Sequence, residues 1–220
     1  MLRVNLYSSL QMSALPKLII GKTGEISWKL IPLQSIAAHR EILTNDLTPI
    51  EKKEMEVHSL QKRQMEYLAI RSLKNIDFQS VSIAYKPSGK PLFHEIKTEI
   101  GISHSNSYAL WATASFPFGC DVEEIDERLV RVSQRFCSHK ELTVIEENVS
   151  TKSLTKLWSC KEAIYKLCDD PGMHWKTDMM CIGVEKEQWL FSVRSFGKTK
   201  KVVCTVIPIE NAILAFAYDA

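Results

Sequence analysis

The sequence predicts an α+β protein built as a pseudo-twofold duplication, each half a helix with a small, mostly antiparallel sheet. Three observations carry this. Two segments of helical spacing, 60–75 and 152–168, are each followed after an interval by an apolar strand of similar composition, YALWATAS at 108 and AILAFAYD at 212. No Pro-, Ser- or Gly-rich linker separates the two parts near 115. The chain of 220 residues suits one large domain or two small halves, and is long enough for a sizeable core. Residues 1–115 and 116–220 are therefore expected to pack together, with a ligand cleft at their junction.

The elements follow in order. Leu2, Val4 and Leu6 alternate with Arg3, Asn5 and Tyr7, the period of a half-buried opening strand. Thr48-Pro49-Ile50-Glu51 is a capping box with proline at the first helical position, so a helix starts at 48. The next helix, 60–75, places Leu60, Met65, Leu68 and Ser72 on one side and Lys62, Arg63 and Glu66 toward another. Strands at 80–85 and 99–103 flank the turn KPSGKP, which sets Lys86 and Lys90 on a tight loop. Buried strands are expected at 108–115 and 118–123, and Ser138-His139-Lys140-Glu141 opens a helix to about 147. The helix at 152–168 has Leu154, Leu157, Lys161, Ile164 and Cys168 down one side, and strands close the chain at 180–184, 188–195, 201–208 and 211–219.

Charge and cysteine usage exclude some functions. Lys and Arg total 28 against 26 Asp and Glu, a net +2, whereas a nucleic-acid binder shows a basic excess. The six cysteines form no CxxC pair and have no histidine at zinc-finger spacing, as in a reduced, cytoplasmic protein. No run approaches the ~20 apolar residues of a membrane helix. The first residues lack the unbroken apolar core of a signal peptide, so neither membrane nor export is expected.

Three constellations could carry chemistry. Asp121 and Glu123 leave the same face of a predicted strand, a disposition that holds a hard cation such as Mg²⁺; the acids that follow at 124, 126 and 127 also fit a solvated loop. Trp158, Glu162 and Lys166 recur every four residues on one helix, with Lys161 beside them. They form either a surface ion pair over a core tryptophan, or the rest of a cation and pyrophosphate site. Gly101-Ile102-Ser103-His104-Ser105 at a strand exit suits a phosphate or a plain polar turn, and no GxSxG elbow marks either serine as a nucleophile. Lys62, Arg63, Lys86 and Lys90 add cations that serve solubility or a ligand.

Taken in order, KPSGKP, ISHS, FGCDVE, RFCSHKEL and LWSCKEAIYK resemble the 4′-phosphopantetheinyl transferases, in particular the longer, monomeric type typified by the surfactin-synthetase activator. The family's two blocks, G-x-D-x-E and W-x-x-K-E-x-x-x-K, stand here at 119–123 and 158–166. The helices at 48 and 60 also resemble the family's N-terminal half.

The resemblance implies transfer of the phosphopantetheine arm of coenzyme A to a serine of an apo acyl or peptidyl carrier protein, releasing adenosine 3′,5′-bisphosphate. It implies a monomer with coenzyme A between two halves. Carried over by position, Asp121, Glu123 and Glu162 would hold Mg²⁺, or Mn²⁺, and Glu162 would act as the base. Lys161 and Lys166 would neutralise the breaking pyrophosphate. Ser103 and His104, with Arg63, Lys86 and Lys90, would take the 3′-phosphate and adenosine. Cys120 and Cys160 would fill space. A non-catalytic member that binds coenzyme A or docks a carrier is the alternative; a Mg²⁺-dependent nucleotide hydrolase leaves KPSGKP and ISHS without purpose. The segment LCDDPGMHW after the second block departs from the small or glycine-rich turn of many members.

Overall fold

The computed structural model describes residues 17–79, 81–145 and 150–220; the strand expected at 2–7 lies outside them. The described chain opens with a hairpin, β1 (Ile19–Thr23) and β2 (Ile26–Pro32), turning at Gly24 with φ 55°. Two six-residue helices follow, α1 (Leu33–Ala38) and α2 (Arg40–Asn45). Sequence reasoning marks neither hairpin nor helices. The helices have no side-chain cap and are too short for a periodic signal; burial of Leu33, Ile36 and Leu43 holds them.

Helix α3 (Pro49–Val57) begins where its capping box predicts: Glu51 N donates to Thr48 Oγ1, and Thr48 N to the Glu51 carboxylate. Helix α4 (Gln61–Asp77) buries Met65, Leu68, Ala69 and Leu73, but it also buries Glu66, which the pattern places on the polar side. KPSGKP closes a hairpin of β3 (Ala84–Tyr85) and β4 (Pro91–Leu92), shorter than the strand expected over 80–85. Then come β5 (Glu99–His104), β6 (Tyr108–Ala114) and β7 (Gly119–Glu124). After α5 (Arg128–Val132), helix α6 (His139–Ile145) starts on reciprocal Ser138–Glu141 bonds, and α7 (Thr151–Cys168) starts on a Ser150–Ser153 box. Strands β8 (Met179–Glu185), β9 (Gln188–Ser195), β10 (Lys198–Ile209) and β11 (Ala212–Asp219) complete the chain. Among the described residues no helix is long and apolar enough to cross a membrane.

Besides the β3-β4 hairpin, the strands form two antiparallel sheets, ordered β1-β2-β6-β5 and β7-β11-β10-β9-β8. The repeat expected from sequence is present in this topology. In each half a strand precedes the long helix, and the half's last two strands form a hairpin whose final strand slots in beside that first strand. This gives β2-β6-β5 in one half and β7-β11-β10 in the other.

The central strands are buried on both faces, which is why they read as apolar runs rather than alternations. On β11, Ala212, Leu214 and Phe216 face the core between the sheets, while Ile213, Ala215 and Ala217 pack with α7. On β6, Leu110 and Ala112 face that shared core, while Ala109 and Trp111 pack with α4. The layers are thus helix, sheet, sheet, helix, and β5 of the first half lies against β7 of the second.

Candidate active site

The second half begins with a close approach. A Cβ on Gly119 would stand 2.6 Å from Leu167 N and nearer still to the carbonyl of Ala163, so only glycine lets β7 lie on α7. A Cβ on Gly101 of β5 would stand 2.6 Å from Cys120 Sγ on β7. Two glycines therefore bring three elements within side-chain reach. Alternation then sends Asp121 and Glu123 to the same side as Gly119, toward α7, while Cys120 and Val122 enter the core between the sheets.

Asp121 is the hub of this junction and is 5% exposed. Its Oδ1 accepts from Ser103 Oγ at 2.9 Å and from Lys166 Nζ at 2.8 Å, and its Oδ2 accepts from Ser159 Oγ at 2.9 Å. Ser103 Oγ also accepts from Lys166 Nζ and from Val122 N. Burial opposes charge on Lys166, but Asp121 outweighs it and holds the ammonium above the usual lysine range. Glu123 accepts a 3.0 Å bond from Trp158 Nε1. That indole is held between Phe136 and Trp175, and Trp175 stacks in turn on Tyr165.

Glu162 is held by no hydrogen bond among the described residues. Burial first, then the negative charge of Asp121 with that of Glu123, pushes its carboxyl up to about 7 against the pull of Lys166. Glu123 is raised as well, by burial and then by Asp121. Three carboxylates that penalise one another's charge form a donor set suited to a hard divalent cation. As they stand, no three such side chains among the described residues close on one point, and both Asp121 oxygens are occupied by donors from the protein. Asp121, Glu123 and Glu162 fit the cation by chemistry, and a cation at Asp121 would share its oxygens with Lys166, Ser103 and Ser159.

Of the second block, Lys161 is not brought into this cluster. Its ammonium is fully buried, 2.7 Å from Glu141 Oε1, and donates to the carbonyls of Phe136 and Trp175. The reading of Lys161 as a pyrophosphate ligand gives way to a tie between α7, α6 and the segment after α7, because one residue along a helix turns a side chain about 100°. The space-filling expectation for two cysteines holds: Cys120 and Cys160 are buried, and burial pushes the Cys120 thiol up to about 12.

Of the remaining expected residues, Arg63, Lys90 and His104 line two adjoining cavities, while Lys86 and Ser103 line neither. One, of about 510 Å³, is walled by Pro87 to Pro91 of the KPSGKP turn, Ile100 to Ile102, Phe118, Tyr165 and Lys166. Lys90 Nζ donates to Leu167 O there, while Lys86 Nζ reaches Asp169 Oδ2 at 3.3 Å. Burial and then Lys86 lower the Lys90 pKa. The other, of about 310 Å³, shares Gly89, Pro91 and Ile102 with the first and holds Arg63 and His104, whose Nη1 and Nε2 lie 3.3 Å apart.

The comparisons with known proteins address the half that carries the carboxylates. Residues 117–217 match the family model of the 4′-phosphopantetheinyl transferase superfamily. A 4′-phosphopantetheinyl transferase of Aneurinibacillus migulanus, gsp, is 27% identical over 95 residues, which are 42% of this chain and 40% of that relative. The likeness read from two short motifs thus extends from β7 into β11. The first half, with Arg63, Lys86, Lys90, Ser103 and His104, lies outside the matched residues.

Within the matched half, sequence reasoning missed Ser159, whose hydroxyl holds Asp121, and Trp175, whose ring backs Trp158. Ser159 carries a signal after the fact, because it follows Trp158 and precedes Glu162 by three on the face that meets β7. Trp175 lies in an irregular segment and gives none. In the first half Glu66 was missed, since a glutamate beside Lys62 and Arg63 reads as a surface ion pair.

Proposed function

We propose that this chain transfers the 4′-phosphopantetheine arm of coenzyme A to a serine hydroxyl of an apo acyl or peptidyl carrier protein and releases adenosine 3′,5′-bisphosphate. One observation carries the reading. Glu162, whose side chain has no hydrogen bond among the described residues, shares a charge cluster with Asp121, Glu123 and Lys166, and Lys166 lines a cavity where the two halves meet. A free carboxylate raised toward neutrality can take a proton, and an adjacent ammonium can stabilise charge on a leaving phosphate. The superfamily match supports phosphopantetheinyl transfer as the class of reaction.

In this mechanism the cavities hold coenzyme A with its 3′-phosphate against Arg63 and His104, and with the adenosine end under Lys86, Lys90 and Ser103. Residues 1–115 and 116–220 act as the two walls. Asp121, Glu123 and Glu162 would hold Mg²⁺ or Mn²⁺, which when bound supplies charge neutralisation at the pyrophosphate. Glu162 accepts the proton of the carrier serine as its Oγ bonds to the phosphorus that bears the pantetheine. The phosphorus–oxygen bond to the bisphosphate breaks, and Lys166 meets the charge left on that oxygen. The carrier supplies the nucleophile, so no reactive serine or cysteine is needed here. The protein acts as a monomer in the cytoplasm.

Incubation with coenzyme A, Mg²⁺ and several apo carrier proteins tests this by intact mass. A carrier that gains one phosphopantetheine supports transfer. Coenzyme A binding with no carrier modified overturns it in favour of a non-catalytic binder, and nucleotide hydrolysis without a carrier overturns it in favour of a hydrolase.

A further inference from the structure

We propose that Glu66 is a positioning residue for the phosphate subsite, holding the Arg63 guanidinium and the His104 imidazole from behind so that both meet a ligand phosphate. The inference deepens the proposed function and rests on it. Glu66 lies on α4 and is 4% exposed, whereas the side chains of Arg63 and His104 are 54% and 37% exposed. Its Oε2 accepts from Arg63 Nη1 at 2.7 Å, and its Oε1 stands 3.6 Å from His104 Nδ1. All three line the smaller cavity.

The arrangement is layered: a buried carboxylate, then a guanidinium and an imidazole, then open pocket. A carboxylate taken out of water is costly unless paired, and in front of the cations it would repel a phosphate. Behind them it takes Arg63 Nη1 and faces His104 Nδ1, while His104 Nε2 stands 3.3 Å from Arg63 Nη1, so the guanidinium is fixed with its other N–H groups left for the pocket. The charges that face His104 are Glu66 and Arg63 from α4 and Lys166 from α7, with Lys62 across Glu66 at 3.8 Å; His58, Arg71 and Tyr85 line the same cavity. Burial, with Arg63 and Lys166, disfavours the charged imidazole and prevails over Glu66, which favours it, so His104 is held below the ordinary histidine value. Glu66 keeps that lowering smaller, so that a phosphate dianion arriving at the ring completes its charging. Sequence spacing conceals this, since Arg63 and Glu66 three apart read as an exposed pair.

Calorimetric binding of coenzyme A and of 3′-dephospho-coenzyme A to the full chain tests the role. Wild type is expected to prefer coenzyme A. Glu66→Gln is expected to weaken coenzyme A about tenfold, the size of one charge-assisted contact, and to leave the dephospho form within about twofold. The pH at which the preference fades, scanned from about pH 6 to about pH 8, is expected to fall in the variant. A preference that survives the substitution, or an equal loss for both ligands, overturns the role of Glu66 alone. Wild type that binds neither ligand overturns the proposed function and this subsite with it. Should Glu66→Gln fail to fold, ¹⁵N-histidine spectra of wild type with adenosine 3′,5′-bisphosphate decide: an imidazolium at His104 in the complex supports the role and a neutral ring overturns it.

Discussion

Lys166 Nζ stands 2.8 Å from Asp121 Oδ1, and the matching joint in the other half, Lys29 with Asp77 at 2.6 Å, has its charges exchanged. Asp121 lies on β7 and Lys29 on β2, the two strands that occupy the same place in their sheets; Lys166 and Asp77 lie near the ends of α7 and α4. The first joint is braced by packing: Lys29 is 10% and Asp77 26% exposed, and Trp111 Nε1 donates to Asp77. The second is open to the cavity, with Lys166 34% exposed. One architectural bond thus serves packing in one half and faces a ligand space in the other.

That contrast separates two substitutions. Lys29→Met leaves Asp77 without its cation and is expected to cost about 3 kcal/mol of stability, read by chemical denaturation. Lys166→Met is expected to cut kcat about 10²- to 10³-fold, the size of a lost transition-state contact, with a smaller loss of stability. Equal stability losses with unchanged kcat would remove the functional distinction.

Gly119→Ala tests the close approach. The added methyl meets the backbone of α7 at Ala163 and Leu167, which cannot turn aside as a side chain can. Overpacking of this kind costs about 1–3 kcal/mol, and the displaced helix carries Ser159, Glu162 and Lys166 away from Asp121. Lowered melting temperature together with lost turnover is expected. A variant as stable and active as wild type would show that β7 and α7 are not in this contact.

How much of this was legible in sequence varies by half. The second block placed Trp158, Glu162 and Lys166 on one stripe, and period two placed Asp121 with Glu123, so their meeting needed only β7 to lie on α7. Lys161 misled because motif membership says nothing about which way a helix is turned; Glu141, forty residues from its other bond at Cys181 N, claims it. Glu66 was illegible because burial of a charge depends on the strand beyond it, here β5 with His104. Helices α1 and α2 were invisible because they are held by tertiary packing and not by caps or period.

Acid stability is expected to depend on Glu51. Burial works against its charge, but bonds from Thr48 and the cations Lys74 and Arg71 prevail and hold its carboxyl below the usual value. A depressed carboxylate stabilises the fold above its ordinary pKa of 4.5, and that contribution is lost as pH falls through the lower folded value. Glu51→Gln is expected to cost about 2–3 kcal/mol at neutral pH, partly by stranding buried Lys74. The gap to wild type should shrink below about pH 4. Urea titrations at the two pH values check this, and a gap that stays constant would place the cost in packing.

Glu162→Gln separates binding from chemistry. The amide keeps the shape of the side chain but accepts no proton and is a poorer ligand for a hard cation. Because Glu162 makes no hydrogen bond among the described residues and faces two other carboxylates, removing its charge relieves the site and takes away no partner. The variant is expected to fold at least as well as wild type in the presence of chelator, to bind coenzyme A without Mg²⁺ equally well, and to lose nearly all turnover. In wild type, added Mg²⁺ should raise the melting temperature more than in the variant, since one of three proposed ligands is gone. Near-normal turnover would refute the assignment of Glu162 as base. An unchanged Mg²⁺ response with dead turnover would keep it as base and remove it from the cation site.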